Sequence, residues 1–380
     1  MRIGLDGLPL AGPKTGVGHY TFELACGLAR AAPADQFELI APEPILSSAG
    51  DTPHRLPANL RATHVKSSWL RRKWWAVGLP LHLKRVSFDL FHGTNYDVPL
   101  WGRRPVVVTI HDLSLLLHPA THPEHLVRRA RPRLPLMVRA AGMIITGTQS
   151  VKREIGEHLR VRPEKIAVTP YAPRRIFHPA SPDQIIETKR RLKIEDDFLL
   201  FVGTIEPRKN LITLIRALDE ILRATSLAPQ LVIAGNKGWL TDDLFAYIKS
   251  AHLEDRLRFT GYVSDDDLRA LYSSCRVSVY PSLYEGFGLP PLEAMACGAP
   301  VIASRIPSIM ETVGTAACLI APTDFRALAE SIIRLFECDG ARRRLSSAGL
   351  ERAAKFSWEE TARLTLDVYH EVLAMNARQS

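Results

Sequence analysis

Residues 280–304 read YPSLYEGFGLPPLEAMACGAPVIAS. The stretch begins at the end of a short apolar run, Val277 to Tyr280, which reads as a buried parallel strand. A glycine-rich loop follows (Gly286, Gly288), then Pro290–Pro291, a helical run Leu292–Cys297 closed by Gly298, and a second strand, Pro300–Ala303. Strand, loop, helix and strand make one βαβ unit. Proline just inside a helix and glycine just past its end are the expected punctuation. The loop of such a unit lies outside the carboxyl ends of the strands, where open α/β sheets bind ligands.

Glycine lets a backbone approach a ligand closely, and the N–H groups at a helix start favour phosphate. Two carboxylates bracket this turn. Glu293 also suits the helix dipole as a first-turn acid. Glu285, an acid in an apolar, glycine-rich loop, has no such local reason. Two acceptors flanking a phosphate-cradling turn suit a nucleotide-sugar, one for sugar hydroxyls and one for the ribose.

EGFGLPPLE, with seven residues between Glu285 and Glu293, resembles the signature of the retaining glycosyltransferases of family 4. That resemblance implies the GT-B fold: an α/β protein of two Rossmann-like doubly wound domains facing across a cleft. It further implies that Glu285 is a catalytic-site residue holding donor-sugar hydroxyls and that Glu293 holds the ribose. The backbone N–H groups of Phe287, Gly288 and Leu289 would face the sugar and diphosphate.

The chain has 380 residues, enough for two domains that each bury a core. Its apolar content of 46% and lack of low-complexity tracts read as globular. No run approaches the ~20 apolar residues of a spanning helix, and MRIGLDGLPLAG does not read as a signal peptide. Five scattered cysteines (Cys26, Cys275, Cys297, Cys318, Cys338) read as thiols in a reducing cytoplasm, neither a disulfide framework nor a metal site. The net charge of +9 admits nucleic acid, an anionic membrane or a phosphorylated substrate. With no nucleic-acid-binding motif in view, membrane and phosphate remain.

In the N-terminal half, strands are expected at Ile3–Asp6, Phe37–Ala41, Ala58–Val65, Phe88–His92, Val106–Ile110 and Met143–Gly147, alternating with helices as in a doubly wound sheet. Gly16-Val17-Gly18, at the entrance of the first helix, reads as a tight turn. The resemblance would place Gly16 and Gly18 on the donor phosphate. His111-Asp112 ends a strand and so lies at the ligand side; by resemblance His111 sits beside the transferring sugar, with Asp112 as its orienting neighbour. His92 and Asn95 are weaker acceptor-side candidates, and Ser150 and Lys152 read first as a helix cap. Two stretches mix cations with apolar residues: Trp69-Leu70-Arg71-Arg72-Lys73-Trp74-Trp75, and Pro123–Arg139 with five arginines. A solvated basic face and an interfacial membrane anchor are both open readings.

Pro163–Pro182, with five prolines, reads as the interdomain connection. The expected division is residues 1–180 for an acceptor-binding domain, 181–356 for a nucleotide-sugar-binding domain, and 357–380 for a last helix that returns toward the first. Phe198–Val202 then leads into GTIEPRKN, whose adjacent guanidinium and ammonium at a strand end suit a diphosphate. The segment resembles the family's pyrophosphate clamp, with Arg208 and Lys209 on the phosphates. Thr204 stands where many relatives have arginine. Val263 would meet the base through its backbone. Asp265-Asp266-Asp267 invites a metal, but Ser264 as N-cap explains it more simply.

The resemblance, which in GTIEPRKN and EGFGLPPLE extends to bacterial mannosyltransferases, therefore implies a retaining enzyme that takes a nucleoside-diphosphate-sugar, GDP-mannose first, and glycosylates a glycan or lipid-linked acceptor without metal or other cofactor. Its expected place is the cytoplasm, at the inner face of the membrane. The rival reading is a catalytically idle protein of this fold that binds nucleotide-sugar or membrane.

Overall fold

The structure, a computed structural model, describes residues 1–12, 15–45, 56–66, 73–99, 101 and 105–378. Trp69, Leu70, Arg71 and Arg72 of the first basic–aromatic stretch lie outside them. By contacts the chain forms two compact units: Met1–Leu113 with Arg128–Ala172 and Ser357–Ser380, and Ser114–Val127 with Pro173–Phe356.

The first unit is built on β1 (Arg2–Asp6), β2 (Gln36–Ala41), β3 (Leu60–His64), β4 (Leu90–Gly93), β5 (Val106–Thr109), β6 (Met143–Thr146) and β7 (Ile166–Val168). All pairings are parallel, in the order β3-β2-β1-β4-β5-β6-β7. Strands such as Met143–Thr146 are buried along their whole length, as a parallel sheet covered on both faces requires. The helices in this half of the chain are α1 (Gly16–Ala31), α2 (Leu79–Arg85), α3 (Ser114–Leu117), α4 (Glu124–Ala140) and α5 (Gln149–Leu159).

Three expectations are corrected here. Gly16 to Gly18 form the first turn of α1, behind Thr15 as N-cap, and not a separate turn. Thr148, not Ser150, caps α5, its hydroxyl accepting from the Val151 N–H at 3.2 Å. The proline-rich connection contains β7, a three-residue strand at the sheet edge too short to show a period.

In the second unit α6 (Pro182–Leu192) precedes β8 (Phe198–Val202), α7 (Leu211–Ala224), β9 (Gln230–Ala234), α8 (Asp242–Ser250), β10 (Leu257–Gly261), α9 (Asp265–Ser274) and β11 (Val277–Tyr280). Then come α10 (Leu289–Ala296), β12 (Val301–Ser304), α11 (Pro307–Val313), β13 (Cys318–Ile320), α12 (Phe325–Glu337) and α13 (Asp339–Ala353). The sheet order is β10-β9-β8-β11-β12-β13, again parallel throughout. One core joins Leu199, Phe201, Leu214, Leu218, Ile233 and Ile302 across it. The order reverses between β8 and β11, so the loops leaving those two strands diverge and open a crevice at their carboxyl ends.

The last helix, α14 (Trp358–Ala377), belongs by contacts to the first unit. Ser357 caps it, accepting from the Glu360 N–H at 3.1 Å. It lies along α1, where Gly27 permits the approach: a Cβ there would sit 3.1 Å from the Trp358 carbonyl oxygen and 3.2 Å from Ala362.

Candidate active site

The switch point of the second unit gathers the charged residues singled out in the sequence. After β8, the chain makes a turn at Pro207–Lys209 and enters α7 through Asn210 in the left-handed region (φ 56°). Asn210 fixes that turn: its amide donates to the Pro281 carbonyl at 2.9 Å and the Pro322 carbonyl at 2.7 Å, tying three strand ends together. Arg208 and Lys209 are thereby aimed at the loop after β11.

There Glu285 receives both cations. Lys209 Nζ lies 2.7 Å from Glu285 Oε1 and Arg208 Nη1 3.0 Å from Oε2. Lys209 also donates to the Tyr280 hydroxyl (2.8 Å), and Arg208 to Glu206 (2.7 Å) and the Tyr284 carbonyl (3.1 Å). Glu285 is buried. Burial alone would raise its pKa, but Lys209 and Arg208 outweigh it and hold the carboxyl at about 2. Burial lowers the pKa of Lys209. The result is a fixed, ionised acceptor beside two fixed donors, in a site where such charges act strongly.

The loop itself is braced from α11. Ser308 donates to the Glu285 carbonyl (2.5 Å) and Thr312 to the Phe287 carbonyl (2.6 Å). Gly288 caps α10 at φ 95°, and a Cβ there would fall 2.4 Å from Ile309 Cδ1. No other residue fits without displacing that side chain. Phe287, Gly288 and Leu289 thus form the entrance to α10, whose first N–H groups have no intrahelical partners.

Glu293, one turn into α10, is buried in a second ion cluster that the sequence reading missed. Arg174 Nε donates to Glu293 Oε1 at 3.1 Å, and its Nη1 to Asp265 Oδ1 at 2.6 Å. The Arg174 guanidinium stands 4.5 Å from the Phe177 ring centroid. Burial opposes its charge, but Glu293 and Asp265 hold its pKa above the ordinary value. Nothing in YAPRRIF marks this arginine; only the fold brings it to Glu293. The Asp triplet is engaged throughout: Asp265 with Arg174, Asp266 with Arg269, Asp267 with Arg191 and Thr188, while Ser264 caps α9. Val263, half-buried, precedes that cap.

The stretch Ser114–Val127 also lines this unit. His118 packs on the Tyr284 ring at 4.8 Å, and Trp239 Nε1 donates to the Thr121 carbonyl at 2.9 Å.

In the first unit, His111 follows β5. Its Nε2 lies 2.8 Å from the Thr94 carbonyl oxygen, which can only accept, so Nε2 carries the proton and Nδ1 accepts from the Tyr171 hydroxyl at 2.9 Å. Burial lowers its pKa to about 4, leaving it neutral. Thr94 and Tyr171 orient the ring; the neighbouring Asp112 charge acts against the effect of burial on it, and the Asp112 backbone N–H donates to the Tyr96 hydroxyl. Tyr20 of α1 meets the His111 ring edge-on at 4.8 Å, which links Gly16 and Gly18 to it through one helix. His92 is wholly buried between Tyr369 (2.7 Å) and Thr109 (2.8 Å), a core pair and not an acceptor-side residue. Asp6, at the end of β1, is buried and accepts from the Leu8 N–H at 3.0 Å; burial lifts its pKa to about 8.

Comparison with known proteins agrees with this geometry. A family model described as "Glycosyltransferase Family 4" matches residues 14–172, and one described as "Glycosyl transferases group 1" matches residues 183–352. The chain is 31% identical to O-antigen chain mannosyltransferase B of Escherichia coli, over 97% of this chain and 99% of that one. It is 30% identical to the MMP alpha-(1->4)-mannosyltransferase of Mycolicibacterium hassiacum, over 77% and 72%. Its fold matches sucrose-phosphate synthase from Thermosynechococcus elongatus with a TM-score of 0.78 at 22% identity, covering 99% and 100% of the two chains. The two family models and the relative 31% identical over nearly the whole of both chains place the chain in glycosyltransferase family 4, with the sugar-transferring activity of that family, and its two parallel sheets have the GT-B fold.

Proposed function

We propose that this enzyme transfers mannose, with retention at the anomeric carbon, from GDP-mannose to a hydroxyl of a glycan carried on a lipid, at the membrane surface. The observation that carries the assignment of roles is the Arg208–Glu285–Lys209 cluster at the switch point of the second unit. Arg208 and Lys209 take the donor diphosphate, Glu285 accepts from sugar hydroxyls, and Glu293, held by Arg174, accepts from the ribose. A carboxylate with a pKa near 2 is a poor base and nucleophile. The acceptor proton therefore goes to the leaving phosphate oxygen as the bond from C1 to that oxygen breaks and the new glycosidic bond forms on the same face. Two side-chain cations and the α10 N-terminus meet the charge, so no metal is required. Mannose and the lipid-borne glycan are suggested by the names of the relatives and the basic, Trp-bearing first unit. Among the described residues no helix is long and apolar enough to cross a membrane, so attachment would be peripheral.

The test is a thermal-shift panel of GDP-, UDP-, dTDP- and ADP-sugars, with and without EDTA, on the wild type and Lys209→Ala. At a hundredfold excess over Kd a ligand stabilises by about 2.7 kcal/mol, roughly 5–10 °C for a unit of this size. GDP-mannose should give that shift regardless of EDTA and lose most of it in Lys209→Ala. A shift with another base would replace the donor; silence from all four would favour the idle-protein reading.

A further inference from the structure

Parts of the two basic–aromatic stretches, Lys73–Trp75 and Arg129–Met137, meet in the first unit as the walls of one cleft. Lys73, Trp74 and Trp75 form one wall, and Arg129, Leu136 and Met137 of α4 the other, around a cavity of about 570 Å³. That volume lies in the range of small-molecule sites, roughly 300–1,000 Å³. Leu8, following β1, and Pro42 and Glu43, following β2, close its floor, so it sits at the carboxyl ends of the sheet.

Both walls are irregular in ways that shape it. Trp74–Gly78 forms a π-turn, a wide turn frequent at functional sites. Pro132 and Pro135 lie inside α4, where each removes a backbone hydrogen-bond donor. Trp101 ties down the first wall, donating to the Ala76 carbonyl.

The chemistry of the lining is divided. Trp74 and Met137 are buried, while Leu136 is 47% exposed, an apolar rim open to solvent. Lys73 and Arg129 are exposed cations on that rim. Arg133 is answered by Asp97 at 2.5 Å, and Glu43 is the one acid among the described residues that line the cleft. The Trp74 indole N–H is buried, with no acceptor among the described residues. A flat interfacial anchor needs none of this concavity.

We propose that this cleft is a binding site for a phosphate-bearing amphiphile: Lys73 and Arg129 take the phosphate, and Trp74, Trp75, Leu136 and Met137 the adjoining hydrocarbon. In the sugar-transfer reading above, that amphiphile is the carrier of the acceptor; the site itself does not depend on that reading. The same chemistry could come from a bilayer headgroup, so the test separates the two.

Binding of dodecyl phosphate below its micellar concentration, measured by calorimetry, should be 1:1 and tighter than that of dodecyl maltoside or inorganic phosphate alone. Lys73→Glu/Arg129→Glu should weaken it about ten- to hundredfold, the loss of one to two charge-assisted contacts. Leu136→Gln, at an exposed position, should weaken both dodecyl ligands alike. The thermal shift with nucleotide-sugar should be unchanged in each variant, which also shows that it is folded. Equal affinity for the neutral amphiphile, indifference to the substitutions, or binding to anionic vesicles alone would each overturn the proposal. Dodecyl phosphate binding without any donor shift would keep the cleft and reject the sugar-transfer reading.

Discussion

Glu285 holds two cations at once, and this changes what its removal should do. Holding sugar hydroxyls alone, Glu285 would cost far more rate than fold when replaced by Gln. In the structure the substitution leaves Arg208 and Lys209 facing a neutral amide, and breaking a buried ion pair costs about 3–5 kcal/mol. The shift from the ordinary 4.5 to about 2 points to a similar size, roughly 3 kcal/mol. Because the folded pKa is depressed, that stability is present above pH 4.5 and lost as pH falls through 2. The wild type should therefore exceed Glu285→Gln in urea stability at pH 7 and lose the advantage toward pH 2. Inorganic pyrophosphate should stabilise the variant more than the wild type, since it would occupy cations that Glu285 otherwise pairs. Equal shifts would argue against Arg208 and Lys209 as the diphosphate site.

An element with one permitted shape carries the site: the turn from β11 into α10. Ser308 and Thr312 fix its carbonyls, and Gly288 takes a conformation that disfavours side chains, against Ile309. Gly288→Ala should cost about 1–3 kcal/mol in backbone strain and as much again in overpacking. Tm should fall by several degrees and the donor shift should disappear; a variant with wild-type donor affinity would show that the turn does not set the phosphate site. Much of this element was legible beforehand. Val277–Tyr280 and Phe198–Val202 are strands where the apolar runs put them. Helix α10 begins three residues before its apolar run, because proline is tolerated in a first turn and Gly288 can cap it. Arg174 and the His111 partners Thr94 and Tyr171 left no local trace, since each is brought to its place by long-range packing.

At the scale of the whole molecule, neither unit is a single run of chain. The first borrows α14, whose Tyr369 hydroxyl meets buried His92 and whose Trp358 packs by Tyr20. Truncation after Phe356 should expose that face of α1 and strip hydrogen-exchange protection from β1, β4 and β5. Protection in residues 173–356 should persist, because the core of the second unit contains none of α14. Uniform loss of protection in both units would contradict this division. The consequence reaches back to synthesis. As the chain leaves the ribosome, the sheet of the first unit waits for α14, while the second unit is complete by Phe356, before α14 is made. The second unit is thus free to fold before its elder neighbour, and the unfinished sheet of the first is what a chaperone would have to shelter.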